Sequence, residues 1–284
     1  MRAETWSTAE WASEGPPRPE AEITVLAARG TGLQVGAHLV LLTSALARQR
    51  SVVGAEVAVT ARLLNQLPLT RSIVVVVPPE VAASSCVDSL LPAATALLGR
   101  GALTVTVTCP SPAPHGPGGA LSMYNQHAEA LPEAFVEAVA GGRRCGLVTS
   151  TGNTVLLLQE FVPATASAVV RVSHDRSVPV RIDGRWGLAE QRSAADTFEV
   201  PADGVTVHER LAWKPTASLA AGGGTHTVAM PVEWRGRHSI GRDTVRQLAA
   251  LSRDAAVTAG TALTLDIVLG GRGPVVLRCR PSTS

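Results

Sequence analysis

Leu265-Asp266-Ile267-Val268-Leu269, then Gly270-Gly271-Arg272-Gly273, then Val275-Val276-Leu277-Arg278-Cys279-Arg280-Pro281: two apolar runs joined by a glycine turn predict an antiparallel hairpin at the end of the chain. A helical apolar pattern over 242–256 leads into it. Further upstream, strands are expected at 155–159, 166–173, 181–187, 197–200 and 205–213, and again around 225–232 beyond a Gly222-Gly223-Gly224 turn. The first half alternates less regularly. A strand at 23–28 runs into Arg29-Gly30-Thr31-Gly32, followed by helical patterns near 36–50 and 55–66. The β-branched run 73–77 stops at Pro78-Pro79, and a helix at 87–98 and a strand at 103–108 come next. A Pro/Gly-rich loop at 109–119 precedes a helix at 130–140 that is expected to stop at Gly141-Gly142. Mixed helices and strands without a repeating βαβ rhythm predict an α+β fold with mixed or antiparallel sheets and flanking helices. No internal repeat is present.

Composition bounds the function. The chain has 284 residues, 45% hydrophobic and 17% charged, enough for a packed core. A net charge of +2 gives no electrostatic case for nucleic acid or an anionic membrane as partner. Lys214 is the only lysine, so abundant arginine alone is weak evidence of anion binding. Aromatics are scarce at 3%, which leaves Val, Leu and Ala to build the core. Cys86, Cys109, Cys145 and Cys279 form no CxxC pair, so reduced structural thiols are expected. The N-terminus lacks a basic-then-apolar signal pattern, and no apolar run reaches the roughly 18–20 residues a bilayer span needs. These features predict a soluble, cytoplasmic protein. Residues 1–20, rich in Glu and Pro, read as a flexible leader, although Trp6 and Trp11 are unusual in a solvated tail.

Several blocks from 155 onward, in order, resemble the nucleotide-binding ATP-grasp domain of phosphoenolpyruvate synthases and pyruvate phosphate dikinases. Leu158-Gln159-Glu160-Phe161-Val162-Pro163-Ala164 looks like the family's strand-and-hinge segment. The resemblance implies that Gln159, Glu160, Phe161 and Val162 present backbone groups to the adenine edge. Trp186-Gly187-Leu188-Ala189-Glu190 followed by Asp196-Thr197-Phe198 looks like the next segment, with a shorter connection. It implies that Glu190 lies beside the nucleotide and its metal. Trp213-Lys214-Pro215, the Gly222–Gly224 turn, the helix and the closing hairpin follow in family order. Asp266 is thereby implied as a metal ligand, with Arg278 and Arg280 as catalytic residues. Upstream, Ala28-Arg29-Gly30-Thr31-Gly32-Leu33 resembles a phosphate-binding segment in which Arg29 stands where relatives have lysine, a change of reach and geometry. Val107-Thr108-Cys109-Pro110-Ser111-Pro112-Ala113 resembles a second, with Cys109 in place of an arginine. Gly118 and Gly119 fall in the glycine loop after it, whose amides can cradle phosphate.

The resemblance implies two lobes, 21–150 and 151–284, closing on ATP and Mg²⁺. It also implies a phosphotransferase, kinase-like or ligase-like activity toward an unidentified substrate. A separate phosphohistidine-domain or acceptor protein is the implied partner. Two departures bear on activity. Val268 occupies a position where relatives carry an acid, and Arg278 one where they carry glutamine. Valine offers no oxygen to Mg²⁺, and a guanidinium repels a cation while attracting phosphate. A pseudoenzyme acting as a binding or scaffold subunit is therefore the second expectation. The third is a dinucleotide-binding oxidoreductase using the Gly30–Gly36 turn, with Glu56 at ribose-binding distance. His115 and His127, near the glycine loop that the resemblance assigns to phosphate, are candidate phosphoryl acceptors against a background of ordinary surface histidines. His174-Asp175 reads as a solvated hairpin turn, since adjacent strand residues face opposite ways.

Overall fold

The computed structural model describes residues 23–29, 32–35, 59, 63, 66–69, 72–77, 82–98, 101, 103–108, 120–144, 154–188, 194–271 and 273–282. They fall into two compact units. One holds Met1–Ala58 and Thr70–Phe161, the other Val59–Leu69 and Val162–Ser284.

The first unit is built on β1 (Ile23–Arg29), β2 (Gly32–Val35), β3 (Ser72–Val77), β4 (Leu103–Thr108), β5 (Ala120–Gln126) and β6 (Thr154–Glu160), in the spatial order β2-β1-β3-β6-β4-β5. Only β1 and β3 run parallel; the other described pairs are antiparallel. Two helices, α1 (Val87–Leu98) and α2 (Leu131–Arg144), pack on this sheet and on each other. Leu131, Ala134, Phe135, Ala138 and Val139 of α2 are buried, at the three- and four-residue spacing of one helix face. The helix does not stop at Gly141-Gly142 as expected: it continues to Arg144, with Gly141 buried. Glycine costs a helix about 1 kcal/mol, which packing of the same face offsets.

The glycine turn after β1 also departs from expectation. β2 pairs antiparallel with β1, Arg29 opposite Gly32, so a second strand begins at Gly32. A dinucleotide-binding turn opens a helix there and sits in a parallel sheet. That reading is corrected by this topology. The predicted helix at 36–50 lies outside the described residues, as do the leader 1–20 and the loop 109–119.

The second unit carries a fully antiparallel sheet: β7 (Ala166–Val172), β8 (Val180–Trp186), β9 (Asp196–Val200), β10 (His208–Arg210), β13 (Leu263–Gly270) and β14 (Gly273–Pro281), ordered β10-β9-β8-β7-β13-β14. The predicted closing hairpin is β13–β14, and it docks beside β7 with Asp266 opposite Val169. Its register slips at Asp266/Ile267, where Leu277 is the extra residue on β14. A separate hairpin, β11 (Thr216–Ala221) with β12 (Gly224–Ala229), turns at Gly222 and Gly223, both with positive φ. The strand expected at 205–213 shrinks to β10, whose three residues are all exposed at the sheet edge.

After the short α3 (Val232–Arg235), the helix α4 (Arg242–Ala259) covers one face of this sheet. Val245, Leu248, Ala249, Ser252, Ala255, Ala256 and Ala259 form its buried stripe. Opposite them Val170, Ile182, Phe198, Val200, Leu263, Leu265 and Ile267 are fully buried. Each such large side chain contributes about 1.5–3 kcal/mol on leaving water. Gly260, at φ +66°, ends α4 in the left-handed conformation that glycine adopts without strain.

Gly187 explains the Trp186-Gly187-Leu188 block structurally. It has φ +69°, and a Cβ there would lie 2.1 Å from the Ser218 carbonyl oxygen, which accepts the Leu188 amide at 2.8 Å. The hairpin β11–β12 is thus held against the end of β8 through backbone. Gly187→Ala is expected to destabilise the protein by at least about 2 kcal/mol, by wrong φ and backbone clash together. Urea unfolding of the variant measures it; a loss below about 0.5 kcal/mol refutes the close approach.

Candidate functional site

Side chains on a strand alternate between faces, and cross-strand partners share a face. The register Asp266–Val169–Asp183–Thr197 therefore defines the face of the second sheet opposite α4. The flanking row Thr264–Arg171–Arg181–Glu199 lies on it too, with Arg185 opposite Ser167, Arg278 opposite Asp266 and Arg280 opposite Thr264. One face of this sheet is an aliphatic core; the other is a charged surface in which arginines outnumber carboxylates.

Its charges are paired in two clusters. Arg280 donates through Nη2 to both carboxylate oxygens of Asp266, each at 2.8 Å, and both side chains are about one-fifth exposed. Arg171 donates to Asp183 Oδ2 at 2.5 Å, and Arg181 reaches Oδ1 at 3.5 Å. Burial by itself raises the Asp183 carboxyl; the hydrogen bond and charge of Arg171, with help from Arg181, outweigh it and hold the group below its ordinary value. Arg185 lies between the clusters. Burial pushes its guanidinium downward, the charges of Asp183 and Asp266 oppose that, and the like charge of Arg171 adds to it.

Three of the residues singled out in sequence, Asp266, Arg278 and Arg280, are thus brought together. Sequence reading missed Arg171, Asp183 and Arg185, although Arg181-x-Asp183-x-Arg185 carries a period-two signal on an otherwise apolar strand. The remaining candidates lie elsewhere. Arg29 ends β1. Gln159 and Glu160 lie within the first sheet, opposite Thr104 and Leu103, and Gln159 is buried. Strand pairing of β6 ends there, so Phe161 and Val162 lie beyond the ladder. Just after them, Thr165 donates from its amide and its hydroxyl to Leu269 O, both at 3.0 Å. Gly118, Gly119, Glu190 and His115 are outside the described residues. His127 is exposed, its carbonyl accepting amides at the start of α2. Asp175 is exposed and accepts from the Ser177 amide and hydroxyl, as the turn reading expected.

The resemblance implies Mg²⁺ on Asp266 and Glu190, of which only Asp266 is among the described residues. Among the described residues no three His, Cys, Asp or Glu side chains converge as metal ligands. Both oxygens of Asp266 already accept from a guanidinium, and Val268 beside it offers none. The described residues do not fit a divalent cation on this face, because its surplus charge is positive.

Lys214 has a structural role. It is 1% exposed and paired with the fully buried Asp196 at 2.5 Å. Asp196 Oδ1 also accepts the Ala212 amide at 2.9 Å, and Oδ2 accepts the Ser239 amide and hydroxyl at 2.8 and 2.9 Å. The pair ties β9, the 211–215 loop and the approach to α4 together.

By its own topology the molecule is an α+β protein. No protein-family model matches the chain, and no curated protein matches it. Among solved structures, it is similar to the ATP-grasp ligase PsnB complexed with a minimal precursor, with TM-score 0.36 and 13% identity over 86% of this chain and 62% of that one. It is similar also to PsnB complexed with a phosphomimetic variant of that precursor, Mg and ADP, with TM-score 0.35 and 12% identity over 86% and 59%. The chain spans about three fifths of the length of these structures. No helix among the described residues is long and apolar enough to cross a membrane.

Lys214→Ala leaves the Asp196 carboxylate buried without its cation and should cost about 3–5 kcal/mol in urea unfolding. Asp196 also predicts acid sensitivity. Burial raises its carboxyl, but the bonds from Ala212, Lys214 and Ser239 together hold it below 3.8. The unfolded chain then binds more protons, so this stabilisation is present above pH 3.8 and lost as pH falls through the lower folded value. Unfolding followed across that range should show stability falling with pH less steeply in Asp196→Asn.

Proposed function

We propose that this chain is a divergent ATP-grasp protein that binds a nucleoside triphosphate, ATP by the hinge chemistry, and transfers phosphate to, or activates, a substrate or partner. One observation carries the reading: the three closing-hairpin residues selected by resemblance, Asp266, Arg278 and Arg280, share a single half-buried charged face with Arg185 and the Arg171–Asp183 pair. Concentrated cationic donors of fixed geometry suit phosphate oxygens. Their backing by a rigid sheet and α4 supplies the preorganisation that phosphoryl transfer needs. Phe161 and Val162, just past the end of β6, are positioned in sequence for backbone recognition of adenine. A phosphohistidine-domain protein or other acceptor protein is the first candidate acceptor.

The engagement of Asp266 by Arg280, together with Val268, favours a second reading in which nucleotide is bound without turnover. Calorimetric titration with Mg-ATP tests the binding common to both; phosphate release with and without candidate acceptors separates them. Binding is expected at or below millimolar nucleotide. Arg29→Ala should weaken it about tenfold, the worth of one charge-assisted hydrogen bond. Parent-like affinity in that variant removes Arg29 from the site, and no binding at millimolar ATP removes the nucleotide reading altogether.

A further inference from the structure

We propose that β12 is the edge through which two copies of this chain pair, antiparallel, about a two-fold axis at Thr227. The β11–β12 hairpin closes on the two-residue turn Gly222-Gly223, so its ladder alternates between pairs bonded to each other and pairs whose backbone groups point outward. Ser218 is of the outward kind: its carbonyl leaves the hairpin to accept the Leu188 amide. Thr227, opposite Ser218, and Ala229, two residues on, share that phase on β12. Their N–H and C=O groups point away from β11 and have no hydrogen-bond partner among the described residues. An open row of this kind is a template for another strand.

The other described strand edges of the second unit are guarded. β10 is three residues long and includes Glu209 and Arg210, with Glu209 held by Arg242. β14 carries Arg278 and Arg280, and Leu69 pairs with its Val276, whose amide donates to Pro68 O at 2.9 Å. β11 is engaged through Ser218. β12, Gly224-Thr225-His226-Thr227-Val228-Ala229, has no proline, no bulge and no charge beyond its histidine. No Asp, Glu, Lys or Arg occurs from Pro215 to Val232, in a chain of which 17% is charged. That neutrality selects a second copy as the occupant. A charge close to a two-fold axis lies beside its own like charge, which destabilises the pairing, and an acidic or basic partner finds no complement on this edge. The register is self-complementary as well. Centred on Thr227, it sets Thr227 opposite Thr227, and His226 opposite Val228 of the second copy. Leu219, exposed on β11 and paired with His226, then shares a row with that Val228. Val232 and Trp234, exposed just after β12, add apolar surface of the kind that interfaces cover.

The test is sedimentation velocity on the full chain over a range of concentrations. A strand pair with flanking apolar contacts is a small interface, so a dimer forming between micromolar and millimolar protein is expected. Thr227→Pro removes the N–H that each copy offers at the axis, at a position where an edge strand tolerates proline, and should weaken association about tenfold or more. Thr227→Lys changes only an exposed side chain and sets two like charges at the axis. It should also weaken the dimer, and added salt should recover part of the loss. Thr227→Val should dimerise like the parent. Circular dichroism checks that the variants are folded. Opposed residues of a hydrogen-bonded pair have Cα atoms about 5.5 Å apart, within disulfide range, so Thr227→Cys should give a covalent dimer under oxidation that the parent chain does not. A monomer at every concentration overturns the proposal, and so does a dimer that Thr227→Lys leaves unchanged. Slow hydrogen exchange at the Thr227 and Ala229 amides of a monomer assigns this edge to a segment of the chain itself and overturns it too. A concentration-dependent dimer that is weakened by Thr227→Lys and captured by Thr227→Cys upholds it. None of these outcomes bears on nucleotide binding, which stands or falls by its own titration.

Discussion

The period of two along a strand is the constraint from which both the core and the site of the second unit follow. Because β7, β8, β9 and β13 pair in unbroken antiparallel register, every second side chain is committed to α4 and every other one to the opposite face. The aliphatic half supplies the hydrophobic stabilisation. The charged half is then fixed without further expense, since each arginine is anchored at a Cα whose position the core has set. A one-residue slip in β7 or β8 would drive guanidinium groups into the aliphatic layer, and one in β9 or β13 would drive the Glu199 or Asp266 carboxylate there, so the core enforces the geometry of the charged face.

Polar groups that lie within the unit divide by what their hydrogen bonds accomplish. Asp196 and Lys214 are closed: each oxygen of the carboxylate has at least two donors, and Lys214 Nζ also donates to Ala212 O at 2.9 Å. Such a pair stabilises little relative to an apolar alternative, yet breaking it is costly. Its effect is to fix where the chain leaves β9 and where α4 begins. The charged face is held by ion pairs at its surface, Arg280 with Asp266 and Arg171 with Asp183. Gly187 belongs with the first group. Its lack of a side chain lets the Ser218 carbonyl approach, and no chemistry at a ligand is needed to explain it.

Much of the second unit was legible. The closing hairpin, the helix before it and the strands β7, β8 and β9 follow from apolar period and glycine punctuation, and the charged residues of the hairpin could be named. What escaped were features governed by distant packing. Gly141-Gly142 reads as a helix stop, yet α2 runs through it to Arg144, with Gly141 itself buried. β2 and β5 are too short or too polar to announce themselves, and only pairing to a neighbour makes them strands. The period-two charges of Arg181, Asp183 and Arg185 read as a solvated strand face, as the exposed Arg171 and Arg181 are, whereas the burial of Asp183 is set by pairing with neighbouring strands.

The amino-acid sequence by itself determined the α+β class, the order of elements in the second unit and the chemical character of its last strand pair, because period and turn residues are local properties. Tertiary structure alone decided that β6 is inserted between β3 and β4, that β13 returns to lie beside β7, and that Asp266 accepts from Arg280. These depend on register between segments far apart in the chain. Pairing energy there is summed over whole strands and leaves no mark on any single residue.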